Sequence, residues 1–247
     1  MLAVVAAGLC AGAVNTIVGS GSLITFPTLL AVGLPPVLAN VTNTVGLVPG
    51  SLSGVVGYRR ELHGQLGRAV RLSMAGLAGG VIGAVLLLAL PSTTFEKVIP
   101  FLILAAVGLT LAQPRMARLA AARDGARRNE SPLLLAGVFA TGVYGGYFGA
   151  AQGVILLGLL GVFLDDHLQR LNAVKNVITV VVNGAAAVIF IAVHPIRWSA
   201  AGLIAAGAVA GGQLGAAVGR KLSPALLRGA VVIVGTVVAI KLFLDAF

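Results

Sequence analysis

Residues 2–34 read LAVVAAGLCAGAVNTIVGSGSLITFPTLLAVGL, an apolar run of 33 residues without one charged side chain. About 20 helical residues are enough to cross the hydrocarbon of a bilayer. The run is therefore too long for one simple crossing. Its middle, Asn15–Ser22, gathers glycine, serine, threonine and asparagine, which favour a break over a continuous apolar helix. It reads as two half-helices around an interruption. Residues 132–164 form a second overlong run, interrupted in the same way at Tyr144–Gly153.

Working outward, further apolar runs cover approximately 38–57, 69–90, 95–112, 171–193, 199–219 and 224–244. That makes about eight segments, mostly near the length that spans a membrane. The composition agrees. Of the 247 residues, 58% are hydrophobic and 10% charged, whereas soluble chains carry roughly 25% charge. The mean hydropathy is +1.04. Such a chain cannot clothe itself for water, so lipid must cover it. The fold class is all-α integral membrane. The 34 glycines suit close helix packing in lipid.

The net charge of +10 does not indicate nucleic acid, because the basic residues lie between apolar runs, as the positive-inside rule requires. Cys10 reads as a small buried hydrophobe. No Cys/His metal spacing occurs. The first run follows Met1 without a basic leader and lacks an A-x-A-type end, so a cleaved signal peptide is not expected.

The sequence repeats itself. Residues 78–84 read AGGVIGA and residues 210–216 read AGGQLGA, 132 positions later. Thr42–Asn43 corresponds to Lys175–Asn176 at an offset of 133, Ser92–Lys97 to Ser223–Arg228 at 131, and the two breaks to one another at 130. The expected organisation is a first repeat at 1–112, a basic cytoplasmic linker at 113–131 and a second repeat at 132–247, together forming one membrane domain. Duplication with a matched pair of broken segments points to a secondary transporter, with its site where the repeats meet. Gly207, Gly211, Gly215 and Gly219 recur every four residues and read as a packing face.

Charge bears on topology. If all eight segments cross, eleven basic residues fall on one side and six on the other. If 2–34 and 132–164 instead re-enter as hairpins, the tally becomes fourteen against three. Each repeat then has three crossings, which makes the repeats inverted. The tally leans toward hairpins, and both arrangements stay open.

Polar groups inside apolar segments need partners or a function. The first break supplies Asn15, Thr16, Ser20, Gly21 and Ser22, and the second Tyr147 and Gln152, with Tyr144 nearby. The N-terminus of each following half-helix offers backbone donors and a partial positive charge, which suits an anion. Thr42 and Asn43 form a second cluster, with Lys175 and Asn176 at the equivalent positions and Asn183 further along. Lys175 needs a counter-charge or an anionic substrate, unless it snorkels to the interface. Each residue also has a plain reading as a self-satisfied helix side chain. His63, His167 and His194 read as solvated loop groups. No nucleophile, carboxylate pair or metal set appears, so no enzyme, cofactor or metal is expected.

The stretch VNTIVGSGSLITFPTLLAVGLPPVLANVTNTVGLVPGSLSGVVGYRREL at 14–62 resembles the first half of the TauE/SafE sulfite-exporter family. GVYGGYFGAAQGVILLGLL at 142–160 and LNAVKNV at 171–177 resemble its second half. The resemblance implies a multi-pass permease of the cell (inner) membrane carrying small sulfur-containing anions such as sulfite, sulfoacetate or thiosulfate. Its partners would be that anion and the lipid bilayer. A coupling ion, proton or sodium, and a homo-oligomer both stay open. A passive anion channel and a non-transporting membrane subunit are the alternative readings.

Overall fold

A computed structural model describes residues 1–121, 131–218 and 224–246. Every regular element among them is helical. The first half holds α1 (Leu2–Ile17), α2 (Ser22–Ala31), α3 (Pro36–Gly57), α4 (Leu66–Ala89) and α5 (Ser92–Ala121). The second holds α6 (Pro132–Tyr147), α7 (Gln152–Phe163), α8 (Leu168–Val193), α9 (Trp198–Val218) and α10 (Pro224–Ala246). Helix starts follow local chemistry. Pro36 and Pro132 occupy first-turn positions, where a missing N–H costs nothing. Ser131 caps α6 by accepting the Leu134 N–H at 3.2 Å.

The two overlong runs do break where the glycines cluster. Val14 O accepts the N–H groups of Val18 and Gly19, at 2.7 and 3.0 Å. At an offset of 130, Tyr144 O accepts those of Phe148 and Gly149, at 2.9 and 3.1 Å. Gly19 and Gly149 have φ of +89° and +76°, a left-handed turn that glycine makes without strain. At the first break the chain doubles back. A methyl group on Gly21 would collide with the Ala11 carbonyl, which an unbroken helix would leave about 15 Å away.

Packing exchanges partners between the halves. α1 and α3 lie against α9, while α6 and α8 lie against α4. α3 also meets α8, and α5 meets α10. Each contact has its counterpart when the halves are swapped. The seams use small residues: Gly207, Gly211 and Gly215 press on the α1 backbone, as the four-residue period implied. Gly219 lies outside the described residues. The seams leave apolar side chains outward, among them Leu52, Met74, Val85, Phe101, Val188 and Val237, while Asn40, Asn43, Asn172, Lys175 and Asn176 are buried. This is the inside-out partition that lipid imposes. Four helical stretches are long and apolar enough to cross a membrane: Leu66–Ala89, Ser92–Arg115, Leu168–Val193 and Trp198–Ala217.

Two sequence expectations change. Cys10 is exposed on α1, because the buried face of that helix is taken by Gly8, Ala11 and Gly12 against α9. The polar stretch after 112 does not start as a loop, since α5 runs on to Ala121. Residues 122–130 lie outside the described residues.

Loops from the two halves meet at one end of the bundle. Asp166 pairs with Arg68 at 3.4 Å and with Arg170 at 2.8 Å. Arg170 donates to His63 O at 3.2 Å, and Gln65 donates to Arg170 O at 3.1 Å. Elsewhere, the Arg197 N–H donates to Thr42 Oγ1 at 3.2 Å, near the start of α3.

Candidate substrate site at the two helix breaks

The two interruptions touch. The Gly153 N–H donates to Gly19 O at 3.1 Å, and a Cβ on Gly19 would lie 2.5 Å from the Gly153 α-carbon. No larger residue fits either position.

A broken helix leaves carbonyls without intrahelical partners. In α1 they are met from the other half. Lys175 Nζ donates to Asn15 O at 3.0 Å and Thr16 O at 3.3 Å, and Asn172 Nδ2 donates to Thr16 O at 3.0 Å. In α6 the same service comes from the first half, where Asn40 Nδ2 donates to Tyr147 O at 2.9 Å. Asn40 and Asn172 are 132 positions apart, so each half clasps the broken helix of the other. Lys175 is 1% exposed and does not snorkel. Its ammonium sits at the negative end of α1, where a cation is favoured.

Three backbone donors of the second break are already used. The N–H groups of Gln152, Gly153 and Val154 go to Gly149 O, Gly19 O and Ala151 O. In the first break, Leu23 and Ile24 donate to Ser20 O and Gly21 O. Side-chain chemistry stays open as well. Buried polar atoms without a partner include Ser20 Oγ, both amide atoms of Gln152, Asn176 Nδ2, Thr179 Oγ1, Asn172 Oδ1 and Asn40 Oδ1. Such atoms are rare in folded proteins, and each asks for an explanation.

The family match decides the class. The sequence profile described as Sulfite exporter TauE/SafE covers residues 4–242. The chain belongs to the TauE/SafE family. It is a membrane transporter of that family, with several apolar membrane-length helices. It is similar to a "Probable membrane transporter protein" of Haemophilus influenzae, 29% identical across 96% of this chain and 92% of that one. A "Probable membrane transporter protein ORF9" of Sinorhizobium sp is 28% identical, covering 97% and 90%. The "Probable membrane transporter protein YfcA" of Escherichia coli K12 is 26% identical, covering 96% and 87%. No solved structure matches it.

In this TauE/SafE chain the candidate residues separate into groups. Ser20, Gly21, Gln152 and Lys175 converge on the touching breaks. Ser22 and Asn43 bond each other at 3.2 Å, and Asn43 Oδ1 also accepts from Thr25. Asn176, next to Lys175 on α8, is also buried. Asn183 Oδ1 is 4.0 Å from the Cβ position of Gly149. Asn15 donates its amide to Ser51 Oγ at 3.0 Å, and Thr16 returns its hydroxyl to Gly12 O at 2.9 Å. Thr42 faces Arg197 instead, since neighbouring residues on a helix point about 100° apart. The Tyr147 ring stacks edge-on against Phe95, centroids 5.6 Å apart. Tyr144 holds the second break by donating to Ala150 O at 2.6 Å. Asn40, Asn172 and Thr179 were missed. Their only signal is an amide or hydroxyl one turn from a flagged residue in an apolar helix.

Proposed function

We propose that this permease is a secondary transporter of a small sulfur-containing anion, of the sulfite, sulfoacetate or thiosulfate class, in the inner cell membrane. The anion is held where the Gly-broken helices of the two repeats meet. One observation carries this reading: buried, unpartnered polar atoms gather around the paired breaks, beside the Lys175 ammonium. Among the described residues no cluster of His, Cys, Asp or Glu could hold a metal ion. Among the described residues the Lys175 ammonium donates to carbonyls, not carboxylates, and a buried charge without a counter-charge is costly. An anionic substrate would relieve that cost.

The same proposal takes 2–34 and 132–164 as re-entrant hairpins and the repeats as inverted. The contacts of Asp166 with Arg68, of Arg170 with His63 and of Gln65 with Arg170 support it. Eight full crossings would set loops 58–68 and 165–170 on opposite faces, about 30 Å apart. The bond between Arg197 and Thr42 supports it too, since the hairpins bring the start of α3 and the α8–α9 loop to one face. With Lys175 left out because it is buried at the first break, the division of thirteen against three fits the positive-inside rule.

Uptake of radiolabelled sulfite and thiosulfate into proteoliposomes tests the substrate class. Saturable uptake with counterflow is the expected result. Flux that rises linearly with concentration and shows no counterflow would indicate a channel.

A further inference from the structure

The two repeats are unequal at their breaks. At an offset of 130, Ser22 corresponds to Gln152 and Thr25 to Ile155; at 133, Asn43 corresponds to Asn176. In the first half these side chains close on one another, because Asn43 accepts from Thr25 and donates to Ser22. In the second half Ile155 has no hydroxyl to offer, and the set stays open. Both amide atoms of Gln152 and the Asn176 Nδ2 are buried without partners, at 1% and 5% exposure.

Thr179 extends the open set. It lies one helical turn after Lys175, whose Cδ is 3.2 Å from the Cβ position of Gly153. It lies one turn before Asn183, whose Oδ1 is 4.0 Å from the Cβ position of Gly149. Residues four apart share a helix face, so Thr179 is bracketed by two residues that touch the 149–153 break. Its hydroxyl is buried, at 5% exposure, without a partner.

We infer that the second repeat supplies the main grip on the anion, through Gln152, Asn176 and Thr179, while Ser22, Asn43 and Thr25 of the first repeat form a fixed structural clasp. This rests on the anion-transport reading above. The Gln152 and Asn176 amides and the Thr179 hydroxyl supply neutral donors suited to the oxygens of a small oxyanion. A buried donor without a partner is destabilising, so binding of a ligand that satisfies these three is favoured. The clasp turns the Thr25 hydroxyl, the Asn43 amide and the Ser22 oxygen onto one another, whereas the second set makes no such bonds of its own.

The test compares wild type with Thr179→Val, Thr179→Ser and Thr25→Val, each purified and reconstituted at equal density. Uptake of radiolabelled sulfite and thiosulfate gives KM, and thermal unfolding gives stability. Valine matches threonine in shape, so Thr179→Val keeps the fold. Its KM should rise about tenfold or more for the transported anion, and Thr179→Ser should restore it. Thr25→Val should lower the melting temperature with KM within about twofold of wild type. A wild-type KM in Thr179→Val overturns the inference. So does a KM in Thr25→Val raised as far as in Thr179→Val, which would mean a grip shared by both repeats. Wild-type protein that takes up neither anion would overturn the transport reading itself, and the inference with it.

Discussion

Gly153 donates its backbone N–H to the carbonyl of Gly19 at 3.1 Å, joining two interruptions that lie 134 residues apart in sequence. This bond forces the breaks into backbone contact. A side chain on Gly19 would also have to adopt φ +89°. Gly19→Ala should therefore destabilise the protein by about 3 kcal/mol or more, combining left-handed strain with a backbone clash. Gly184 has nothing within 4 Å of its Cβ position, so Gly184→Ala should stay within about 0.5 kcal/mol of wild type or gain slightly. Thermal unfolding in detergent compares the two. Equal melting temperatures would mean that the breaks do not touch.

The reciprocal asparagines predict a paired effect. Asn40→Ala frees Tyr147 O, and Asn172→Ala removes one of the two donors on Thr16 O. A buried acceptor left bare costs about 1–3 kcal/mol. Asn40→Ala should thus cost more than Asn172→Ala, because Lys175 still donates to Thr16 O. Melting temperatures of the two variants should fall in that order. The reverse order would argue against the clasp.

Lys175 separates function from stability. Lys175→Met keeps much of the side-chain volume and removes a buried ammonium. Removing an ammonium that has no carboxylate partner relieves a desolvation cost, which offsets the cost of the Asn15 carbonyl it leaves bare. The melting temperature should hold or rise, while anion flux should fall about tenfold or more, equivalent to about 1.4 kcal/mol. Membrane levels should be unchanged. Wild-type flux in proteoliposomes would exclude Lys175 from substrate handling.

The sequence made some of this legible and hid the rest. The breaks could be read because an apolar run of 33 residues exceeds one crossing and its glycines mark the stopping point. The small-residue seams could be read from the spacing of Gly207, Gly211 and Gly215. Contact between Gly19 and Gly153 could not, since it depends on how two distant segments pack. Thr42 and Asn43 looked like one cluster because they are adjacent, yet a helix turns adjacent residues apart, and only Asn43 faces α2. Lys175 was legible as a cation either buried or snorkelling, but not that the carbonyls of Asn15 and Thr16 would hold it. Asn40 and Asn172 stood out only after the offset of 132 became a contact with the opposite half.

Topology gives the last prediction. In the hairpin arrangement His63 and Asp165 share the cytoplasmic face, and Ser199 lies on the outer face. All three are exposed. Cys10, the single cysteine, is first replaced by alanine. His63→Cys, Asp165→Cys and Ser199→Cys are then introduced one at a time. A membrane-impermeant thiol reagent applied to intact cells should label only Ser199→Cys, and lysis should expose the other two. Asp165 decides between the arrangements, because eight full crossings move it to the outside and leave His63 inside. The bridge between Arg68 and Asp166 supports the hairpins, because a pair at 3.4 Å cannot span a bilayer. Labelling of Asp165→Cys in intact cells would therefore refute both the hairpins and the packing of the 58–68 loop against the 165–170 loop.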